Sequence, residues 1–302
     1  MKVGFIGLGA MGLPMARHVV KSGHETVTTI HRRREPAFEL AALGARVVAT
    51  PAEVAREADV VITIVPADPE LRQVVLGPDG LIRGFSAGKV LIDMTTATPF
   101  TLREIEQALA EVGVRVLDAP VSGGTTAAAE GKLTIMVGGD RELLERHRPL
   151  LGVLGGNIVH VGSVGQGKVV KMVNQMMAAI HVLAIGEAFA LGAKCGADPA
   201  VLYEVIKTSS GHSRMMDLRL QDFILAGSFV PGFKLDLMKK DVNLAIDSAQ
   251  ALGAPLFLTS IAAQLFQAAS LAGNGGQDFS AAARYVAELC AVSLHQKDGR
   301  RR

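Results

Sequence analysis

Cysteine is scarce in this chain. Cys195 and Cys290 are the only two, and neither stands in a CxxC or metal-ligand spacing. That excludes a disulfide framework and a cysteine-based metal site, fits a reducing compartment, and leads us to expect a cytoplasmic protein without a metal. An excess of either charge is missing too, with 31 Lys and Arg against 29 Asp and Glu. Such a balance argues against bulk binding of nucleic acid or of a membrane surface. No leader of the secretory kind is expected, because the apolar start at residues 3–8 is too short and runs into a glycine turn. Repeats and low-complexity tracts are absent. The one run apolar enough to raise a membrane span, residues 172–191, carries Asn174, Gln175, His181 and Glu187. Each is expensive in hydrocarbon, so the run reads as a buried helix.

What is present is size and alternation. A chain of 302 residues suits two domains, and with about half its residues apolar it can bury a sizeable core. Up to about residue 164, short β-branched runs alternate with helical patterns. Strands are expected at 2–6, 25–30, 46–48, 60–65, 89–93, 115–117, 133–137 and 158–161. Helices are expected at 11–21, 35–43, 51–57, 70–76, 101–111 and 141–151. This spacing makes βαβ units, hence an α/β fold: a Rossmann-type, doubly wound, mainly parallel sheet with helices on both faces. Beyond Gly167 strand signals vanish and helical periodicity continues to about 293, which predicts an all-α second domain joined by a long helix over 168–194. The expected division is 1–164, 165–294 and a disordered tail at 295–302, whose basic stretch 297–302 reads as solvated.

Gly7-Leu8-Gly9-Ala10-Met11-Gly12 fits G-x-G-x-x-G, between an apolar strand and a helical pattern. In that setting Gly7 permits the tight turn, Gly9 lets backbone approach a pyrophosphate, and Gly12 allows close helix–strand packing. The helix start then offers free N–H groups to the phosphates. The second strand runs into His31-Arg32-Arg33-Arg34 with no acid before Glu35. A carboxylate there accepts from the ribose 2′-hydroxyl of NAD, whereas guanidinium groups hold a 2′-phosphate. NADP(H) is therefore the expected cofactor, with NAD(H) as the alternative, and the plain reading of the run is a solvated loop. Two more strand ends face the same cleft: Val65-Pro66-Ala67 and Asp93-Met94-Thr95-Thr96. Thr96 is expected either to contact cofactor or substrate or to cap the helix that follows.

Three further segments are polar or glycine-rich without need. In Asp118-Ala119-Pro120-Val121-Ser122-Gly123-Gly124, a hydroxyl beside backbone N–H groups suits a carboxylate. Gly162 to Gly167 leads into a helix bearing Lys171, Asn174 and Gln175, where Lys171 and Gln175, four apart, share a face. A lysine so flanked can donate both charge and a proton. Lys239-Lys240-Asp241 follows Phe233. Taken singly, each has a plainer reading: a solvated helix start, a turn, a surface ion pair.

Together these segments resemble the β-hydroxyacid dehydrogenase family. The motifs fall in order: residues 4–12 with Pro14-Met15-Ala16, residues 118–124 with Gly131 and Met136-Val137-Gly138-Gly139, residues 165–175, and Lys240-Asp241. The resemblance implies reduction of a small carbonyl acid by hydride from a nicotinamide. It makes Lys171 the general acid or base, with Asn174 and Gln175 orienting it. It makes Ser122, Gly123 and Gly124 the carboxylate site, with Phe233 also on the substrate. Gly7, Gly9, Ala10, Met11, Gly12, His31, Arg32, Arg33, Val65, Pro66, Thr96 and Lys240 are implied to meet the cofactor. The Asn-Gln pair is similar to that of members that reduce tartronate semialdehyde (2-hydroxy-3-oxopropanoate), where hydroxyisobutyrate-type members carry a second asparagine. The Ser-Gly-Gly stretch sets the chain apart from relatives with arginine there, which resemble sulfolactaldehyde reductases. Four-carbon sugar acids, hydroxyisobutyrate, succinic semialdehyde and glyoxylate stay open as substrates. Imine reduction and a non-catalytic nucleotide-binding module are the other readings. The apolar stripes Val182, Ile185, Phe189 and Leu258, Ile261, Leu265 are expected to be mostly core, with enough surplus for a homodimer or homotetramer.

Overall fold

The computed structural model describes residues 1–295. The expected tail, apart from His295, lies outside the described residues, as does the basic stretch within it. Two compact units are formed, Met1–Lys171 and Met172–Arg302.

The first unit is a nine-stranded sheet with helices on both faces. Its strands are β1 (Lys2–Ile6), β2 (Glu25–Thr29), β3 (Arg46–Val48), β4 (Val60–Thr63), β5 (Val90–Asp93), β6 (Arg115–Asp118), β7 (Val121–Ser122), β8 (Thr134–Gly138) and β9 (Asn157–Gly162). Its helices are α1 (Gly12–Lys21), α2 (Glu35–Ala42), α3 (Pro51–Glu57), α4 (Asp68–Leu76), α5 (Pro99–Ala110), α6 (Gly124–Glu130) and α7 (Arg141–Gly152). The order is β3-β2-β1-β4-β5-β6-β8-β7, with β9 on β8. The pairs from β3 through β6 are parallel, β8 runs antiparallel to both β6 and β7, and β9 is parallel to β8.

Successive strand residues serve opposite faces. Val3, Phe5, Ile62 and Ile92 join one apolar cluster with Met15, Val19 and Leu144. Ile6, Val61 and Leu91 join the other with Val54, Leu71 and Leu102. Both faces being covered, the strands read as near-continuous apolar runs, as parallel sheets require. The order turns back at β1 and β4, which opens a crevice at their carboxyl ends, the place where ligands bind in such sheets.

Two elements fall where the periodicity predicted a loop: β7 and α6. The glycines and threonines of 122–126 carry no apolar period, and α6 forms on the small apolar face of Ala127 and Ala128 packed in the core. Thr98 rather than Thr96 caps α5, its hydroxyl accepting from the Thr101 N–H, so the capping role weighed for Thr96 is excluded.

The second unit is all helical: α8 (Gln166–Lys194), which begins in the first unit and runs through the boundary, then α9 (Pro199–Ile206), α10 (Arg214–Arg219), α11 (Leu235–Ala251), α12 (Phe257–Ala269) and α13 (Ala281–Leu289). α8 starts at Gln166, and the two compact units part inside this helix, after Lys171. By length and composition α8 is the one helix among the described residues apolar enough to cross a membrane. Ala179, Val182, Ile185 and Phe189 on it are core, packed with Leu220, Val242, Phe266 and Val286. The second predicted stripe is different: Leu258 is 66% and Ile261 59% exposed, and only Leu265 packs on the core.

Candidate active site

The nucleotide end is built by the first βα turn. Gly7 has φ of +103°, open to glycine alone without strain, and a Cβ on it would lie 2.0 Å from the Ile64 carbonyl oxygen. A Cβ on Gly12 would lie 1.7 Å from the Gly7 oxygen, so α1 can start this close to β1 only with glycine there. Nothing stands within 4 Å of the Cβ position of Gly9, which with Ala10 is exposed, leaving the approach to the turn open. These three positions fit a pyrophosphate.

Beyond β2, Arg32 and Arg33 line a cavity of about 630 Å³ with Leu13, Arg34, Glu35, Pro36 and Glu39. His31 is exposed beside it. Glu39 pairs with Arg17 of α1, which offsets its charge at the mouth. Glu35 heads α2, where the helix dipole favours an acid.

The ends of β4 and β5 are tied together. The Val65 N–H donates to Thr95 Oγ1 at 3.1 Å, and the Thr95 hydroxyl donates to Asp93 Oδ1 at 2.7 Å. Thr96 comes next, half-buried. Pro66 is exposed. Ser122 ends β7, and Gly123 follows with φ of +132°. Lys171 is 7% exposed, so it does not solvate a helix start. Asp118, one of the buried acids below α8, takes the backbone N–H of Lys168 at 2.9 Å. Burial pushes its carboxyl above the ordinary value, against the pull of the Lys168 ammonium and the N–H groups of Lys168 and Gly165.

In the second unit the side chains form a relay. Asn174 Nδ2 donates to Gln175 Oε1 at 3.1 Å, and Gln175 Nε2 donates to Asp241 Oδ2 at 2.7 Å. Lys240 Nζ pairs with the other oxygen of Asp241 at 2.8 Å. Asp241 is 2% exposed, which excludes the surface-pair reading. Phe233 meets Phe279 edge-on with centroids 6.0 Å apart, and its N–H donates to Asp278 Oδ2 at 3.2 Å. Sequence reasoning did not count Asp241 or Asp278 among the site residues. The motif Lys240-Asp241 held the signal for the first, and no local signal pointed to the second, which acts from 45 residues away.

Comparison with known proteins agrees with this geometry. Residues 2–162 match the family described as NAD binding domain of 6-phosphogluconate dehydrogenase. Residues 165–286 match the one described as NAD-binding of NADP-dependent 3-hydroxyisobutyrate dehydrogenase. The chain is 39% identical to the 2-hydroxy-3-oxopropionate reductase of Escherichia coli K12, over 93% of this chain and 95% of that one. This chain belongs to the β-hydroxyacid dehydrogenase family. Another family member, the 2-(hydroxymethyl)glutarate dehydrogenase of Eubacterium barkeri, is 37% identical over 97% of each chain. The 3-hydroxyisobutyrate dehydrogenase of Mycobacterium tuberculosis, solved with L-serine, superposes with a TM-score of 0.85 at 34% identity, over 93% of this chain and 97% of that one. The β-hydroxyacid dehydrogenase reading thus stands: an NAD(P)-dependent oxidoreductase with a Rossmann-type first domain.

Proposed function

We propose that this β-hydroxyacid dehydrogenase is NADP(H)-dependent and interconverts a small semialdehyde acid with its hydroxy acid, with tartronate semialdehyde reduced to glycerate as the leading reaction. The observation that carries the reading is Lys171, buried one helical turn before a Gln175 that is anchored on Asp241.

The bound nicotinamide supplies or takes the hydride. The protein does the rest. As a carbonyl oxygen gains alkoxide character, the Lys171 ammonium stabilises it and gives it a proton; in the oxidation, the neutral amine takes that proton back. Asn174 and Gln175 orient Lys171 and the substrate hydroxyl, and the Asp241 carboxylate fixes the Gln175 amide by accepting its N–H. Ser122, Gly123 and Gly124 hold the substrate carboxylate and so decide which carbon faces the hydride. Phe233 lines the substrate. Gly7, Gly9, Ala10, Met11 and Gly12 hold the pyrophosphate, His31, Arg32 and Arg33 the 2′-phosphate, and Val65, Pro66, Thr96 and Lys240 the nicotinamide half.

Tartronate semialdehyde is favoured by the Asn174-Gln175 pair and by the name of the relative from Escherichia coli. NADP(H) is favoured by three arginines at the cavity beyond β2 and by the absence of an acid at the strand end. The two cysteines, both free and exposed, accord with a reducing cytoplasm. The exposed apolar face of Phe257, Leu258 and Ile261 accords with a homodimer or homotetramer.

The test is kcat/KM for tartronate semialdehyde, succinic semialdehyde, glyoxylate and methylmalonate semialdehyde, each with NADPH and NADH. The first acid with NADPH is expected to lead by at least tenfold. A lead for another acid overturns the substrate, and a lead for NADH overturns the cofactor preference.

A further inference from the structure

One buried cation has no task in the chemistry above. Lys168, three residues before Lys171, is 1% exposed. Its ammonium pairs with Asp93 Oδ2 at 2.6 Å, with neither side chain exposed. It also donates to the main-chain oxygens of Asp93 at 2.9 Å and Thr95 at 2.8 Å. The three protons of a lysine thus meet three acceptors, all at the end of β5. Asp93 is held in turn, its Oδ1 accepting from the hydroxyls of Thr63 at 2.6 Å and Thr95 at 2.7 Å. With its own N–H on Asp118 at the end of β6, Lys168 is clamped by side chain and main chain to two adjacent strands. Gly167 leaves room for this: a Cβ there would lie 2.7 Å from Asp118 Oδ2 and 2.5 Å from the Met136 oxygen.

Such a pair is a poor device for stability, because desolvating two ions offsets most of their attraction and an apolar replacement often serves as well. What it does is fix direction. Lys171 rides one turn beyond Lys168, so the azimuth of the first turn of α8 sets where the Lys171 side chain starts. The peptide between Thr95 and Thr96 is planar and trans. With the Thr95 oxygen turned to Lys168, the Thr96 N–H points the opposite way. One ammonium therefore sets both the start of the α8 helix and the peptide plane next to Thr96.

We propose that Lys168 is a positioning residue for hydride transfer, registering Lys171 and Thr96 to each other through Asp93 and the Thr95 carbonyl. This rests on the reading of Lys171 as proton donor. The test pairs two variants of the full chain. Lys168→Met alone leaves a buried carboxylate without its cation and is expected to fold poorly. Lys168→Met with Asp93→Asn removes both charges, keeps an acceptor for Thr63 and Thr95, and is expected to fold. In this double variant kcat should fall at least thirtyfold, since a displacement near 1 Å can cost on the order of 100-fold. KM for the acid should stay within threefold, and amide exchange over residues 166–171 should speed at least tenfold. A folded double variant with kcat or that exchange within twofold of wild type overturns the proposal, because a merely structural pair would leave kcat alone once folding is restored. Should the wild type turn over none of the four acids, the functional reading fails by itself, and the exchange measurement still decides whether Lys168 holds the start of α8.

Discussion

Each unit pairs a lysine with a buried aspartate, and these two pairs are built in opposite ways. Lys168 and Asp93 of the first unit lie 75 residues apart in sequence and are wholly buried, and the lysine also donates to two main-chain oxygens. Lys240 and Asp241 of the second are neighbours in sequence, and a quarter of the Lys240 side chain stays in solvent. An ammonium whose protons are all spent on fixed acceptors belongs to the scaffold. In the second pair it is the aspartate, buried and bonded to Gln175, that does the anchoring.

The largest expected effect falls on the lysine between the two pairs in sequence. Lys171→Ala should lower kcat at least 1,000-fold, about 4 kcal/mol of barrier, while NADPH binds within fivefold of wild type by fluorescence titration. A kcat within tenfold of wild type removes it from the proton-donor role. Next comes the second unit's own wholly buried carboxylate. Asp278 pairs with Arg219 at 3.1 Å and accepts from the N–H groups of Gly232, Phe233 and Ser280. Asp278→Ala should cost about 3 kcal/mol in urea unfolding, the low end for breaking a buried pair, because part of Arg219 reaches solvent. A loss under about 1 kcal/mol would show that the second unit holds no carboxylate as firmly as the first. The smallest effect is expected at Lys240. Lys240→Met should weaken NADPH about fivefold, while Gln175 keeps its acceptor on Asp241. Unchanged NADPH affinity would erase the contrast between the two lysines.

The architecture was legible where periodicity is strong. The eight predicted strands all form, at boundaries shifted by two residues or fewer, because a strand buried on both faces needs an unbroken apolar run and few other segments supply one. The first turn was legible because only glycine fits at Gly7 and Gly12. The element α6 was not, since alanines and threonines carry little period, and Leu258 and Ile261 read as core because apolar spacing does not say which side of a helix is covered.

Sequence alone determined the residue types that the chemistry needs: the glycine turn, the arginines after His31, and the lysine, asparagine and glutamine on one helix. Spacing along a helix or a turn is local, so it needs no tertiary knowledge. Only the folded structure decided what holds those groups. Asp93 reaches Lys168, Asp241 reaches Gln175 and Asp278 reaches the Phe233 backbone across 75, 66 and 45 residues. Which distant acid meets a buried cation or amide is set by how strands and helices pack, and the desolvation that makes the choice appears only once water has been excluded.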